Sequence, residues 1–169
     1  LTVSLPVPLT VTSGINALAH AVEALYAPDT SPLIALMAQD GVRAMAEALP
    51  LLAARPDDLD ARGRALYGAW LCGACLGATT MGLHHRLAHV IGGSYRLPHA
   101  GTHSALLPHV VAFNAAAANA ELMAVAGAAG AAGPGGLGAA LFDLATVAGA
   151  PTSLSQLGLP DTAIDDVVG

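Results

Sequence analysis

Histidines are concentrated in one short part of this sequence. Five of the seven histidines of the chain fall within residues 82–103, which read GLHHRLAHVIGGSYRLPHAGTH: His84, His85, His89, His99 and His103. Imidazole nitrogens bind divalent metal ions, transfer protons near neutral pH and donate hydrogen bonds to anions. Packing needs alone do not explain so dense a cluster, and we expect it to form a site for such chemistry.

A site requires these side chains to converge, and their spacing predicts how they do so. His85 and His89 stand four residues apart, so in a helix over residues 83–91 both rings project from one face. The glycine pair at 92–93 is expected to end that helix. The loop after it then carries His99 back towards the same point. Two rings would come from a helix and a third from the following loop.

A second set of polar residues lies on the first predicted helix. Asn16, His20 and Glu23 are spaced at i, i+4 and i+7 in an otherwise apolar segment, so they form one polar stripe. Polar groups on such a face need hydrogen-bond partners or water. The stripe either joins the histidine site or belongs to a surface network at the start of the helix, and the sequence leaves both interpretations open.

The elements that must position these residues are helices. Hydrophobic spacing and helix-end signals predict helices over about residues 14–26, 32–49, 59–80, 83–91, 101–117, 119–131 and 137–148, and from 161 onward. Ser31 is the expected cap of the second helix, and Pro50 is expected to end it. The third helix is expected to be the buried centre because it carries little charge. The sequence shows no pattern of paired strands, and we predict an all-α domain.

Composition limits what the domain can bind. Only 11% of the residues are charged and the mean hydropathy is +0.61, so a partner domain, a second copy of the chain or a membrane should cover much of the surface. A net charge of -6 with scattered Lys and Arg argues against nucleic acid. Residues 65–83 are uncharged and long enough to span a membrane, but their glycines fit a close-packed helical core better. We predict neither nucleic acid nor membrane as a partner.

Two further features concern the cellular compartment. Cys72 and Cys75 form a C-x-x-C pair, but the pair lies in a predicted helix and no second pair follows. Small buried thiols in a reducing compartment are therefore a better interpretation than a zinc ribbon or a redox motif. The first residues lack the basic and cleavage signals of a secretory leader. We predict a cytoplasmic protein.

The polar stripe and the histidine region together resemble a known family. TSGINALAHAVEALYA (12–27) and GLHHRLAHVIGGSYRLPHAGTHSALLPHVVAFN (82–114) are similar to the iron-containing, group III alcohol dehydrogenase superfamily, and within it to maleylacetate reductases. The resemblance runs along essentially the whole chain and implies the C-terminal helical domain of the dehydroquinate synthase-like fold. Residues 1–13 would be an extended connection from a missing N-terminal nucleotide-binding domain. Residues 14–169 would be a helical catalytic domain, truncated at its C-terminus.

The resemblance also implies a set of site residues. Metal-dependent members of the superfamily hold a divalent ion, iron or zinc, with one Asp and three His, and the matching positions here are Asn16, His20, His85 and His99. Asn16 in place of Asp removes the anionic ligand, which should weaken binding of iron most and leave zinc the better fit. His89 matches the histidine that lines the nicotinamide and substrate cleft.

The implied reaction is the reduction of the carbon–carbon double bond of maleylacetate, a small dianion, to 3-oxoadipate by NADH or NADPH in aromatic compound degradation. Hydride addition to this bond creates a delocalised enolate, which needs a metal less than a localised alkoxide does. The implied catalytic residues are His20, His85, His89 and His99, with Asn16 and Arg86 as substrate-binding residues. A homodimer would cover part of the apolar surface.

Two other functions stay open from the sequence. A metal-dependent alcohol dehydrogenase acting on a small alcohol or aldehyde would use the same ligand positions. A non-catalytic helical module would only oligomerise or bind a partner. Metal content and activity of the full-length protein distinguish these functions from the first.

Overall fold

Helices form most of the described structure, and no strand occurs within it. The computed structural model describes residues 2–163. Its helices are α1 (Val7–Leu25), α2 (Pro32–Ala54), α3 (Leu59–Ala78), α4 (Leu83–Tyr95), α5 (His99–Asn114), α6 (Asn119–Ala126) and α7 (Pro134–Ala148), with short 3₁₀ turns at Gly127–Ala129 and Ser155–Leu157. The all-α prediction is confirmed, and the last predicted helix, from 161 onward, falls almost wholly outside the described residues.

Side-chain caps start two of the long helices. The Ser31 hydroxyl accepts a hydrogen bond from the backbone N–H of Ile34 at 3.3 Å, and Pro32 follows at the first helical position. Asp58 caps α3 in the same way, accepting from the N–H of Ala61 at 3.0 Å. The predicted Ser31 cap is therefore confirmed.

Helix α1 begins at Val7, so residues 7–13 are helical where the sequence predicts an extended segment. Pro6 and Pro8 stand at the very start of the helix, where a backbone N–H has no partner within the helix in any case. The two prolines therefore begin the helix instead of preventing it. Thr12 lies inside it, and its hydroxyl donates to the carbonyl oxygen of Pro8 at 2.8 Å.

Two helices continue past a predicted stop. Helix α2 runs through Pro50 to its end at Ala54, because a proline in the last turns removes only one hydrogen bond from a long helix. Helix α4 runs through the glycine pair at 92–93 and ends where Arg96 adopts the left-handed conformation, with φ of 53°. Glycine ends a helix where it supplies that conformation, and here Arg96 supplies it instead.

The buried centre of the fold is α1. Val11, Leu18 and Val22 are fully buried, and α1 packs against α2, α3 and α5. Helix α3, by contrast, exposes Trp70 by 64% and Tyr67 by 46%. The low charge of α3 comes with glycine and alanine, which offer little apolar area to bury. The prediction that α3 is the buried centre is therefore wrong.

Arg62 joins three segments at one end of the helix bundle. Its buried guanidinium donates to the carbonyl oxygens of Pro56 at 2.8 Å and Leu5 at 3.2 Å, and to the hydroxyl of Thr10 at 2.8 Å. These acceptors lie in the α2–α3 connection, ahead of α1 and within α1. All three guanidinium nitrogens thus have a partner.

The two cysteines are free and buried, as the sequence predicts. Burial raises the pKa of Cys72 to about 12 and also raises the pKa of Cys75. Both thiols are therefore protonated at neutral pH and unreactive as nucleophiles.

The uncharged stretch in the sequence raises the question of whether any helix could cross a membrane. Among the described residues, no single helix is both long and apolar enough to cross a membrane. Two bent pairs pass on length and composition alone: α3 with α4, bent by 94°, and Asn119–Ala129 with α7, bent by 40°.

Helices α4 and α5 pack on each other and bring the histidine region together. Helix α5 begins at His99, so this residue is helical and not on a loop as predicted. Because α5 also packs on α1, the side chains of α4 and α5 meet His20 of α1 at one place in the bundle.

Candidate active site

Six of the seven histidines form a single cluster. They come from three helices: His20 from α1, His84, His85 and His89 from α4, and His99 and His103 from α5. The ring centroids are 5.0 Å apart for His20 and His85, 4.8 Å for His85 and His103, 4.4 Å for His99 and His103, and 5.8 Å for His89 and His99. The four histidines predicted to act together, His20, His85, His89 and His99, therefore share one cluster, and the seventh, His109, lies beside Phe142.

The cluster runs from the interior of the bundle to its surface. His84 and His103 are fully buried, His85 is 5% exposed and His20 is half-buried. His89 and His99 are exposed. A molecule arriving from solvent would therefore meet His89 and His99 first.

Glu23 connects α1 to the start of α4. It is only 1% exposed, and its Oε1 accepts from the backbone N–H of His84 at 2.8 Å. Its Oε2 accepts from the N–H of Gly82 at 3.0 Å, and lies 2.6 Å from Nδ1 and 3.4 Å from the backbone nitrogen of His85. Helix α4 has no capping side chain of its own, so a carboxylate from another helix takes that place at the positive end of its dipole.

The charge of Glu23 is stabilised by these contacts. Burial by itself raises the pKa of Glu23, but the hydrogen bonds from the His85 ring and the His84 backbone lower it more, and the pKa lies below its usual value. Glu23 is therefore ionised at neutral pH. The polar stripe seen in the sequence joins the histidine site, at least through His20 and Glu23.

Burial keeps three of the imidazoles neutral. It lowers the pKa of His20 to about 4, with further lowering by the nearby His85 and His84. It likewise lowers the pKa of His84 to about 4 and that of His103 to about 2. Near pH 7 these rings offer lone pairs and single N–H groups, not positive charge.

Several buried polar atoms on the three helices that carry the cluster have no hydrogen-bond partner. They are Asn16 Oδ1, His85 Nε2, both ring nitrogens of His103 and the Ser104 hydroxyl. An unpaired buried polar group costs roughly 1–3 kcal/mol. The three of these atoms that belong to the adjacent rings of His85 and His103 indicate that a ligand, an ion or ordered water completes their bonding there.

The nitrogens of the cluster are spaced for a metal ion in two ways. Ring nitrogens lie within 4.8 Å of one another in the set His84, His85 and His103, and in the set His89, His99 and His103. The set implied by the family resemblance, His20, His85 and His99, is not one of these two. Three imidazoles with an open fourth position fit zinc. Since Glu23 is already bonded to N–H donors, no carboxylate of the cluster is free for a harder ion, and the donor set favours a borderline metal.

The other two predicted binding residues are close in sequence to histidines of the cluster. Asn16 stands one helical turn before His20 on α1. Arg86 is exposed, and within residues 2–163 it forms no ion pair. Their roles in binding substrate stay predictions.

The sequence places Glu23 in the polar stripe and His84 and His103 in the histidine region, but it predicts no catalytic or binding role for these three residues. A signal for His103 existed, because it stands one helical turn after His99. That spacing carries meaning only when α5 begins at His99, two residues earlier than predicted.

Comparison with known proteins assigns this architecture. The family model described as "Fe-containing alcohol dehydrogenase family, C-terminal" matches residues 10–169. A maleylacetate reductase of Burkholderia cepacia is 52% identical over 98% of this chain and 46% of its own length. Maleylacetate reductase 2 of Cupriavidus pinatubonensis is 57% identical over 83% of this chain and 39% of its own.

Solved structures give the same result. The crystal structure of maleylacetate reductase from Rhizobium sp. strain MTP-10005 superposes with a TM-score of 0.93 at 49% identity, over 98% of this chain and 46% of that one. An iron-containing alcohol dehydrogenase from Corynebacterium glutamicum gives 0.90 at 38% identity, over 99% of this chain and 46% of that one. The chain thus spans just under half the length of these relatives.

Proposed function

This chain belongs to the Fe-containing alcohol dehydrogenase family, whose C-terminal region it matches, and we propose that it is the helical catalytic part of a maleylacetate reductase. The reaction is reduction of the maleylacetate carbon–carbon double bond to give 3-oxoadipate. The observation that supports this most is 52% identity to a maleylacetate reductase over 98% of the chain, in which the six clustered histidines lie.

The cluster suits the charge that this reaction develops. Hydride addition to a double bond conjugated with a carbonyl group leaves an enolate, whose charge is spread over oxygen and carbon. N–H groups held in place beside the enolate oxygen stabilise it, and a positioned acid supplies the proton to carbon. His89 and His99 are the exposed rings of the cluster and are our candidates for direct contact with substrate. His20 and His85 form the deeper part of the same catalytic set.

Two small-molecule partners follow from this reaction. NADH or NADPH, when bound, supplies the hydride. His89 is the residue of this chain that we expect to line the nicotinamide site, in keeping with its exposed position. Asn16 and Arg86 are our candidates for binding the dianionic substrate. Arg86 carries a charge that no acidic partner among the described residues neutralises.

A divalent ion is compatible with the cluster but not required by this chemistry. Bound there, zinc or iron would act as a Lewis acid on the substrate carbonyl. The rings that would hold it are His20, His85 and His99 by family resemblance, or one of the two closely spaced sets that contain His103. Asn16 adds a neutral amide oxygen in place of an anionic ligand.

The active form should contain more than this chain. Because the chain spans 46% of its relatives, we propose that an N-terminal nucleotide-binding domain faces the exposed His89 and His99. A homodimer would cover further apolar surface, of which the exposed Trp70 side of α3 is one part. The predicted cytoplasmic location stays a prediction.

Activity of the intact protein tests the proposal. We expect NADH or NADPH oxidation that depends on maleylacetate, and a loss of at least about tenfold in kcat for His99→Ala or His89→Ala. His109→Ala is the matched control, because this exposed histidine of α5 lies outside the cluster and should leave kcat unchanged.

Other outcomes point to the alternatives. Activity only on a small alcohol or aldehyde, lost on chelation and restored by zinc or iron, would identify a metal-dependent alcohol dehydrogenase. Wild-type rates in both variants would remove His89 and His99 from the mechanism. No turnover with either class of substrate would favour a non-catalytic module.

A further inference from the structure

The bond between Glu23 and the His85 ring is one of several hydrogen bonds that the Glu23 carboxylate makes. The carboxylate is surrounded by the backbone N–H groups of Gly82 and His84 and by ring Nδ1 of His85, at 2.6–3.0 Å. Backbone N–H groups, which can only donate, bond to both oxygens, and such donors favour the ionised carboxylate. Glu23 therefore acts only as an acceptor.

This geometry determines which nitrogen of His85 carries its hydrogen. Because the carboxylate can only accept, His85 Nδ1 must donate, so the hydrogen is on Nδ1. A neutral imidazole has one N–H, and the lone pair is then on Nε2. That atom is buried and has no partner, and the ring lies 5.0 Å from His20 and 4.8 Å from His103.

His84 carries its hydrogen on the opposite nitrogen. Its Nε2 lies 2.9 Å from the backbone carbonyl oxygen of His103, which can only accept. The lone pair of His84 is therefore on Nδ1, at 3.5 Å from Nδ1 of His85. At this contact the lone pair of His84 Nδ1 is next to the N–H of His85 Nδ1, so two hydrogens do not face each other.

We propose that Glu23 is a positioning residue that holds His85 with its Nε2 lone pair facing the interior of the cluster. His85 then serves as an acceptor, binding a divalent ion or receiving a proton, and not as a neutral hydrogen-bond donor to the enolate. A carboxylate that bonds to a histidine through Nδ1 fixes the tautomer and the orientation of the ring. The link to catalysis rests on the proposed function, whereas the assignment of the hydrogen does not.

The first measurement uses the intact protein, labelled with ¹⁵N-histidine and freed of metal by a chelator. Long-range ¹H–¹⁵N spectra report which ring nitrogen is protonated, and the His85 signal is the one lost in His85→Gln. We expect a protonated Nδ1 and an unprotonated Nε2 in the wild type. A protonated Nε2 would overturn the proposal, and the protonation itself is read from the wild-type protein.

The second measurement compares Glu23→Gln with Glu47→Gln, a matched control on the exposed face of α2. With its NH2 group in place of Oε2, the glutamine can donate to His85 Nδ1 while its oxygen still accepts from the backbone N–H of His84, and only the bond from Gly82 is lost. We expect the hydrogen of His85 to move to Nε2, and kcat to fall at least about tenfold with a smaller change in KM. The control should leave both unchanged.

Each outcome has a defined meaning. If Glu23 only caps α4, the Glu23→Gln variant loses stability but His85 keeps its hydrogen on Nδ1, which would refute the positioning role. If the wild type shows the expected nitrogens but no maleylacetate turnover, the proposed function fails and the assignment of Glu23 stands.

Discussion

Arg62 and Glu23 are both charged side chains buried in the bundle, but their surroundings differ. Arg62 has a partner for each guanidinium nitrogen, and all of its acceptors are neutral oxygens of the chain. Glu23 is also fully bonded, yet it stands next to a cluster in which the rings of His85 and His103 leave polar atoms unpaired.

The difference separates a structural polar network from a functional one. A network that serves stability is complete in the chain alone, because every unpaired buried group weakens the fold. A site that binds a ligand keeps some groups unpaired until the ligand arrives. Buried charge by itself therefore does not indicate function here; unpaired neighbours do.

Acidification should give the largest effect, and only at the histidine cluster. Burial lowers the pKa of His84 to about 4 and that of His103 to about 2, against 6.5 in the unfolded chain. Because the unfolded state takes up protons first, stability is complete above pH 6.5 and falls as the pH drops towards 4. By pH 5 the loss should be about 2 kcal/mol for each of these two fully buried rings, with a further loss from the half-buried His20, whose pKa is lowered to about 4.

Urea unfolding of the metal-free intact protein, followed by circular dichroism between pH 7 and pH 5, measures this loss. A His103→Leu variant should lose about 2 kcal/mol of this dependence on pH, the share of one ring. A free energy of unfolding that stays constant over this range would contradict the neutral, buried state of both rings.

Replacing Arg62 with alanine should have the next largest effect. The change removes a buried side chain and leaves acceptors of Pro56, Leu5 and Thr10 without donors, and should cost about 3 kcal/mol of unfolding free energy. Thermal and urea denaturation measure the loss. At a temperature where the variant stays folded, kcat should match the wild type; a large drop there would mean that Arg62 belongs to the catalytic machinery after all.

Replacing His103 with leucine should lower activity and leave stability nearly unchanged, the opposite of the change expected at Arg62. The ring makes no hydrogen bond through either nitrogen, so an apolar side chain of similar size should change stability by less than about 1 kcal/mol at pH 7. Activity should fall at least about tenfold, because the unpaired nitrogens are lost from the centre of the cluster. Kinetics and denaturation of one preparation provide both values. A stable variant with full activity would show that His103 has only a packing role in the core.

The smallest expected effects on stability come from removing the hydroxyl group of Thr10 or that of Ser104. Thr10→Val removes an acceptor of Arg62 and should cost about 1 kcal/mol, whereas Ser104→Ala removes an unpaired hydroxyl and should cost close to nothing. Denaturation of the two variants side by side measures the difference. Equal losses would mean that the Ser104 hydroxyl has a partner, such as ordered water, in solution.

The sequence predicts the class of fold and the convergence of four histidines, because both depend on local spacing. His85 and His89 are one helical turn apart, and Ser31 followed by Pro32 is a strong helix start. The predictions are wrong where one residue type, such as proline, is compatible with two local structures. Pro50 lies in a helix that was expected to end there, and Pro6 and Pro8 begin one.

What the sequence could not give are contacts between distant positions. Glu23 and His84 are 61 residues apart, and nothing in either local pattern indicates that they bond. The exposure of α3 is equally non-local, because it depends on which helix takes the centre of the bundle. Helix α1 occupies the centre, and its apolar residues lie on more than one face.

The exposed face of α3 has a practical consequence. Trp70 is the one tryptophan in these 169 residues, and it stands in solvent. Its fluorescence should therefore respond little to events among the histidines and strongly to whatever covers α3. Emission from this position would shift to shorter wavelength on docking of another surface, which gives the chain a built-in optical reporter of assembly.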